Sequence, residues 1–454
     1  MASPAAFAHS PEGRHKNDPV NSVALPAPLE LSSATAGDHP SVQRLLMNVF
    51  HGPSATEFQA QLEEPQYEPT DRLVVRYREQ VLSHLLITKR EMRFGERVLP
   101  VGLIQDLATA PEFRCRGLAS KLLETAERQM RNDGAVLSMI STNNIAFFLQ
   151  RGWAVCPRHC YSEAGARDIL SYLNAQSPPQ RDLLSGRGPK EYNIRLWRHI
   201  EQAALMRLYE QNTQRSFGAY LRNDSYWRWL IGRRGYDSIY VAIDGPDKLE
   251  LDERLEPIVG YAAMMDGQVA ELMVSPEHPR AAAQLLARAC GDAIERDIHP
   301  MRIDGQPDHP LHQLTVAAGG AFRDNEAENG VVQMTKMYDP LGFLRDSSDQ
   351  LVSRARAATK IELPCELGVQ YNGEKYRLSV NRRSAKLSEG KLGRSYITVN
   401  RASLTQLLLG HLNVRDAVEQ RRMESSTRVA IDLASALFPR LSFWRPPLDD
   451  LPAR

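Results

Sequence analysis

The chain has 454 residues, 42% of them hydrophobic, and 56 basic residues balance 55 acidic ones to a formal net charge of +1. That is enough chain for about three domains, and the balance argues against a surface dedicated to nucleic acid. Five scattered cysteines form no disulfide framework and suit a reducing compartment, and no apolar run approaches the ~20 residues of a membrane helix, so a cytoplasmic protein is expected. Residues 1–27 turn polar and Pro-rich without an apolar core, and read as a disordered tail rather than a signal peptide.

From residue 28, LELSSATAGDHPSVQRLLMNVF reads as strand, turn and helix. DRLVVRYREQ, VLSHLLITKREMRF and ERVLPVGLIQDLAT alternate like antiparallel strands. A helix over 117–131 follows, with Leu118, Leu122, Leu123, Ala126 and Met130 on one face. AVLSMIS is a short buried strand, and NNIAFFLQRGW a helix ended by Gly152. Residues 175–189 gather Pro, Gly and Ser and read as a linker. The pattern then restarts: a strand at YNIRLW, a helix at HIEQAALMRLYEQNTQR, then strand, strand and helix at EPIVGYAAMM, GQVAELMVS and PRAAAQLLARACGDAIERD. Both copies carry Pro-Glu after a strand and Leu-Leu in the next helix, but the second has a shorter turn and no glycine in it. The aromatic run at Tyr226, Trp227 and Trp229 reads as core before substrate contact. Past residue 345 the alternation, with turns at Asn372-Gly373 and Glu389-Gly390, predicts a small antiparallel sheet. A helix capped by Ser403 follows, with a Leu404, Leu407, Leu408, Leu412 stripe that reads as core or, less often, a lipid pocket. RVAIDLASALFP is a last helix, and the end is Pro-rich and extended.

Chemistry concentrates in PEFRCRGLASKLL. Backbone N–H groups at a helix start have no internal partner, and the helix dipole adds positive potential there, so a phosphate can accept several hydrogen bonds at once. Gly117 and Ala119 allow close approach, and Arg114 and Arg116 add charge-assisted bonds. Cys156, His159 and Cys160 offer half a metal site with no second half, and no metal is expected.

RCRGLA resembles the acyl-CoA loop of the GNAT acetyltransferase superfamily, and AVLSMIS, Asn143 and Gly152-Trp153 resemble its flanking elements. The layout of the whole chain resembles the enhanced-intracellular-survival acetyltransferases. This implies an α+β fold with an active GNAT domain at 28–174, a degenerate second one at 190–340, and a sterol-carrier-like α+β domain with an extended tail at 345–454. The resemblance implies acetyl-CoA as cosubstrate, bound by Leu107, Ala108 and Thr109 along its pantetheine, by Arg114, Cys115, Arg116, Gly117, Leu118, Ala119 and Ser120 around its pyrophosphate, and by Asn143. It implies a small-molecule or peptide amine as acceptor and a homo-oligomer, often a hexamer. The chain departs from the family at Phe148, where a tyrosine acid is usual, with Tyr161 nearby in sequence. It departs again at its end: the family's base is the C-terminal carboxylate, here that of Arg454, with Asp449 and Asp450 in the same stretch. N-acetyl transfer to an amine is the favoured reading. A non-catalytic CoA or lipid sensor and a lipid carrier are the alternatives.

Overall fold

The computed structural model describes residues 28–156, 159–176, 191–245, 257–325, 327–359 and 361–454. It is an α+β fold built on three mixed sheets. The first holds β1 (Glu30–Ser33), β2 (Arg72–Tyr77), β3 (Gln80–Phe94), β4 (Arg97–Thr109) and β5 (Leu137–Thr142), side by side in that order. Two helices, α1 (His39–Phe50) and α2 (Ala55–Leu62), cover one face through Val42, Leu46 and Phe58. The other face is covered by α3 (Leu118–Asn132) and the short α4 (Ile145–Leu149). The apolar spacing of α3 works as the sequence predicts, since Leu118, Leu122, Leu123, Ala126 and Met130 are all buried.

The first and second sheets exchange strands. His159–Ala164 leaves the first sheet and pairs in the second, between Met301–Asp304 and Ala321–Asn325. In return Val331–Met337 extends the first sheet beyond β5, antiparallel to it. A buried polar cluster holds the exchanged strand. Lys336 Nζ donates to Glu127 Oε2 at 2.6 Å and Trp153 Nε1 donates to Glu127 Oε1 at 2.9 Å. Replacing Trp153 with Phe strands a buried carboxylate oxygen, so we expect a loss of about 1–3 kcal/mol in denaturant unfolding.

In the second sheet, Gln268–Val274 and Met301–Asp304 pair in parallel over only two residues. The helix Asp224–Gly232 buries Tyr226 and Trp227 in its core, as the sequence suggests, and Asn223 caps it. The third sheet corrects two expectations. It is mixed, because Tyr396–Val399 runs parallel to Cys365–Tyr371. The helix Arg401–Leu408 is capped by Asn400, which accepts from Ser403 N at 2.8 Å. Asn400 takes the cap because its backbone is still extended while Ser403 is already inside the first turn. The leucine stripe at 404, 407, 408 and 412 is buried in a core shared with Met92, Phe94 and Val101 of the first sheet. The 175–189 linker begins inside the helix Ala166–Gln176, and residues 177–190 lie outside the described residues. Among the described residues no helix is long and apolar enough to cross a membrane.

Candidate active site

The site starts where two parallel strands part. β4 and β5 pair from Val101↔Leu137 to Leu103↔Met139 and then diverge. On its other edge β5 stays paired with Val331–Met337 throughout, from Leu137↔Met337 to Thr142↔Val332. A wedge opens between residues 104–109 of β4 and 140–142 of β5. Leu107, Ala108 and Thr109 lie along it, with Ala108 buried and its neighbours partly exposed.

β4 also carries a bulge there. The register with β3 passes from His84↔Ala108 to Leu86↔Gln105, so β4 has one residue more than its partner. Asp106 takes up the irregularity with φ of 53°, a left-handed conformation that few non-glycine residues adopt. Ser83 Oγ donates to Ala108 O at 2.8 Å and lies 2.7 Å from Thr109 Oγ1, pinning the strand past the bulge.

Around Asp106 is a buried polar cluster from three elements. Arg72 of β2 is wholly buried, with Nη1 at 4.0 Å from Asp106 Oδ2. It also donates to Gln61 Oε1 of α2 at 2.9 Å and to Tyr67 Oη at 3.1 Å. His84 Nε2 is 3.1 Å from Arg72 Nη1, and its Nδ1 is 2.9 Å from Asp106 O. Arg72 can only donate, so Nε2 accepts and Nδ1–H donates to the bulge carbonyl. Burial first, then the Arg72 charge, holds His84 down at about 3, so it is neutral at ordinary pH and serves as a strut. Asp106 behaves differently. Burial pushes its carboxyl above the usual carboxylate range, and Arg72 and Gln61 only partly offset this. Its Oδ2 is buried with no hydrogen-bond donor among the described residues, while the side chain keeps 22% exposure through its other atoms. An elevated carboxylate on a strand bulge is a proton acceptor in waiting.

The loop after β4 leads directly into α3. Gly117 sits at the helix cap with φ of 79°, and a Cβ there would meet nothing within 4 Å. No side chain caps the helix, so its first amide groups face outward. Arg114 Nε donates to Thr109 O at 3.2 Å, tying loop to strand, and the Arg116 guanidinium lies 5.5 Å from the Phe113 ring centre. Cys115 is exposed, Leu118 is buried, and Ala119 and Ser120 are partly exposed. Arg151, which the sequence reading passed over, donates to Ser120 Oγ at 2.7 Å and brings a third guanidinium to the helix start. Asn143 is exposed just past the end of β5.

Other expected groups lie elsewhere. Phe148 is 2% exposed and packs edge-on against Phe147 and Trp153, so it is core. Tyr161 belongs to the second sheet, under the Arg302 guanidinium. Arg454 pairs with Asp237 and Asp266, which flank strands Ser238–Ile243 and Ile258–Met265 of the second sheet. It lines a cleft with Thr56, Gln59 and Glu63, the face of α2 turned away from Phe58 and Gln61. The terminal residue and Asp106 thus stand on opposite sides of that helix. Cys156 belongs to the core shared by the first and third sheets and Cys160 to that of the second.

Residues 30–156 match the acetyltransferase (GNAT) domain family. Solved structures extend the likeness to nearly the whole chain. A GCN5-related N-acetyltransferase from Kribbella flavida is 17% identical with a TM-score of 0.67, covering 92% of this chain and 97% of its own. One from Anabaena variabilis is 14% identical, TM-score 0.67, covering 92% and 99%. Eis1 from Mycobacterium abscessus is 16% identical, TM-score 0.61, covering 91% and 98%. At these identities the likeness is one of fold. No curated protein matches the chain.

The second sheet repeats the bulge of the first. Its register passes from Ala263↔Glu271 to Met264↔Val269. Glu271 stands five residues before Pro276-Glu277, as Asp106 stands five before Pro111-Glu112. That shared offset stands in the sequence, but only the paired registers show that each carboxylate sits at a bulge. Glu271 is sealed: it is wholly buried and bonded to Arg222 and Tyr261. The carboxylate of the first copy is left partly open.

Proposed function

We propose that the GNAT domain transfers an acetyl group from acetyl-CoA to an amine, with Asp106 as the base. The observation that carries this reading is an uncapped helix start at Gly117 on the same strand end as an elevated, partly exposed carboxylate. The amides of Leu118, Ala119 and Ser120, with Arg114, Arg116 and Arg151, fit a pyrophosphate. Leu107, Ala108 and Thr109 offer main-chain groups along the wedge, and the open Gly117 conformation leaves room for close approach. Bound acetyl-CoA supplies an activated acyl group as a thioester. Asp106 takes the proton of an incoming ammonium, which otherwise has no lone pair to attack with. A main-chain N–H next to the bulge, near Leu107, donates to the developing oxyanion, whose collapse breaks the C–S bond, releases CoA as its thiolate to take a proton from solvent, and leaves the nitrogen to shed its remaining extra proton. Arg72 and His84 keep the bulge in shape.

The test is thiol release from acetyl-CoA with a panel of amines, beside direct CoA binding. Turnover on any amine that depends on Gly117 supports the reading. CoA binding without turnover across the panel supports the sensor, and fatty-acid or sterol binding without CoA binding supports the carrier. Arg151→Ala should weaken CoA binding about 10- to 100-fold in calorimetry, the scale of one charged hydrogen bond. An unchanged affinity would remove Arg151 from the cradle.

A further inference from the structure

The chain's tail reaches the Asp106 cluster by a route its extended, Pro-rich sequence does not announce. Trp444 N donates to Phe217 O at 2.8 Å, and the turn Pro447–Asp450 then lies along the second sheet. Asp449 is buried there and accepts from Arg222 Nε and Nη2, each at 3.0 Å, and from Tyr226 Oη at 3.1 Å. The Arg90 guanidinium of β3 sits 4.9 Å from the centre of the Tyr226 ring and is ion-paired to Glu64, just past the end of α2. Three residues on, Trp229 Nε1 donates to Ala60 O of α2 at 2.8 Å. On its opposite side α2 presents Phe58, 4.8 Å from the Arg72 guanidinium, and Gln61, which accepts from Arg72. The contacts run unbroken from Asp449 to Arg72 and Asp106.

We propose that Asp449 is a positioning residue for the reaction: through Tyr226, Arg90 and Glu64 it clamps α2 against the Asp106 carboxylate. The proposal rests on the reading of Asp106 as base. It differs from a plain structural role in one respect. Gln61 of α2 accepts from Arg72 Nη2, and the same guanidinium lies 4.0 Å from Asp106 Oδ2, so α2 helps hold the cation that counteracts the effect of burial on Asp106. The charged and titratable groups packed around Asp106 are Arg72 from β2 and His84 from β3, with Tyr67 and His39 behind Arg72. None of these lies on α2, so loosening α2 takes the Gln61 acceptor from Arg72 and lets the guanidinium draw away from Asp106. The Asp106 carboxyl then moves further up, and the acid limb of the rate profile moves to higher pH with it.

The experiment measures pH profiles of kcat/KM for the full chain, Asp449→Asn, Asp106→Asn and a chain lacking Ala453 and Arg454. CoA affinity and thermal unfolding are recorded for each. Asp449→Asn should move the acid limb up by about half a pH unit. It should lower kcat about tenfold, the scale of a small misplacement near the reacting atoms. CoA affinity should hold, because the cradle lies on the α3 side of the sheet. The shortened chain should keep the original profile. A folded Asp449→Asn with an unmoved acid limb overturns the clamp. So does a shortened chain that loses the limb, which would return the role to the terminal carboxylate. If Asp449→Asn does not fold, Tyr226→Phe keeps the ring under Arg90 and removes only the hydroxyl. It must then shift the limb in the same direction, and an unmoved limb overturns the clamp. An Asp106→Asn enzyme with full activity and an intact limb overturns the base assignment itself. Loss of activity there, with Asp449→Asn unmoved, overturns the clamp alone.

Discussion

Asp106→Asn lowers kcat/KM about 10²- to 10⁴-fold, the usual contribution of a positioned acid or base, equivalent to about 3–5 kcal/mol of barrier. The amide fits the same bulge, so CoA affinity and unfolding should stay close to those of the native protein. The pH dependence gives the sharper result. In the native enzyme the base must be ionised, so activity falls as pH drops through the Asp106 pKa. Burial places that pKa above the ordinary carboxylate value of about 3.9. In the Asn variant that limb is absent. Its remaining rate follows the fraction of free amine, so the deficit narrows as pH rises toward the acceptor's own pKa. A variant with a constant deficit at every pH would point to Asp106 as a shaping residue rather than a proton acceptor. A variant with no deficit would move the base elsewhere.

What the sequence disclosed was local, and what it withheld depended on partners far along the chain. The α3 stripe could be read because a helix of period 3.6 buries residues at fixed spacing. The cradle could be read because Gly117 and the arginines act within one loop. The strand exchange could not. His159–Ala164 and Val331–Met337 are not among the strands read from the sequence, and period two would not have named their neighbours. Asp106 was hidden for a related reason. A bulge is a property of two strands in register, so the aspartate in LIQDLAT looks like any polar residue until His84 and Leu86 are set against it. Arg151 was hidden because its partner Ser120 is one helix and one strand away. The tail misled most. Two aspartates among prolines look solvated, yet Asp449 is one of the least exposed carboxylates among the described residues, and the terminal residue ends on the far side of α2. Composition describes a segment's average preference for water, and a single guanidinium placed to receive it can overrule that average.

That guanidinium belongs to Arg222, and its removal should produce the largest loss of stability. Its side chain is fully buried and carries four hydrogen bonds, two to Asp449 and two to Glu271 at 3.0 and 2.6 Å. It also lies 3.9 Å from the Tyr209 ring centre and 4.8 Å from that of Trp227. Arg222→Leu fills much of the space but leaves two carboxylates facing each other in a dry core. Breaking one buried pair in this way costs about 3–5 kcal/mol, and we expect at least that in denaturant unfolding. Replacing Glu271 and Asp449 together with Arg222 by apolar residues removes the stranded charges, so the triple variant should be more stable than Arg222→Leu alone. If Arg222→Leu instead unfolds like the native chain at pH 8, Asp449 is not held as described, and the tail's grip on α2 loses its foundation.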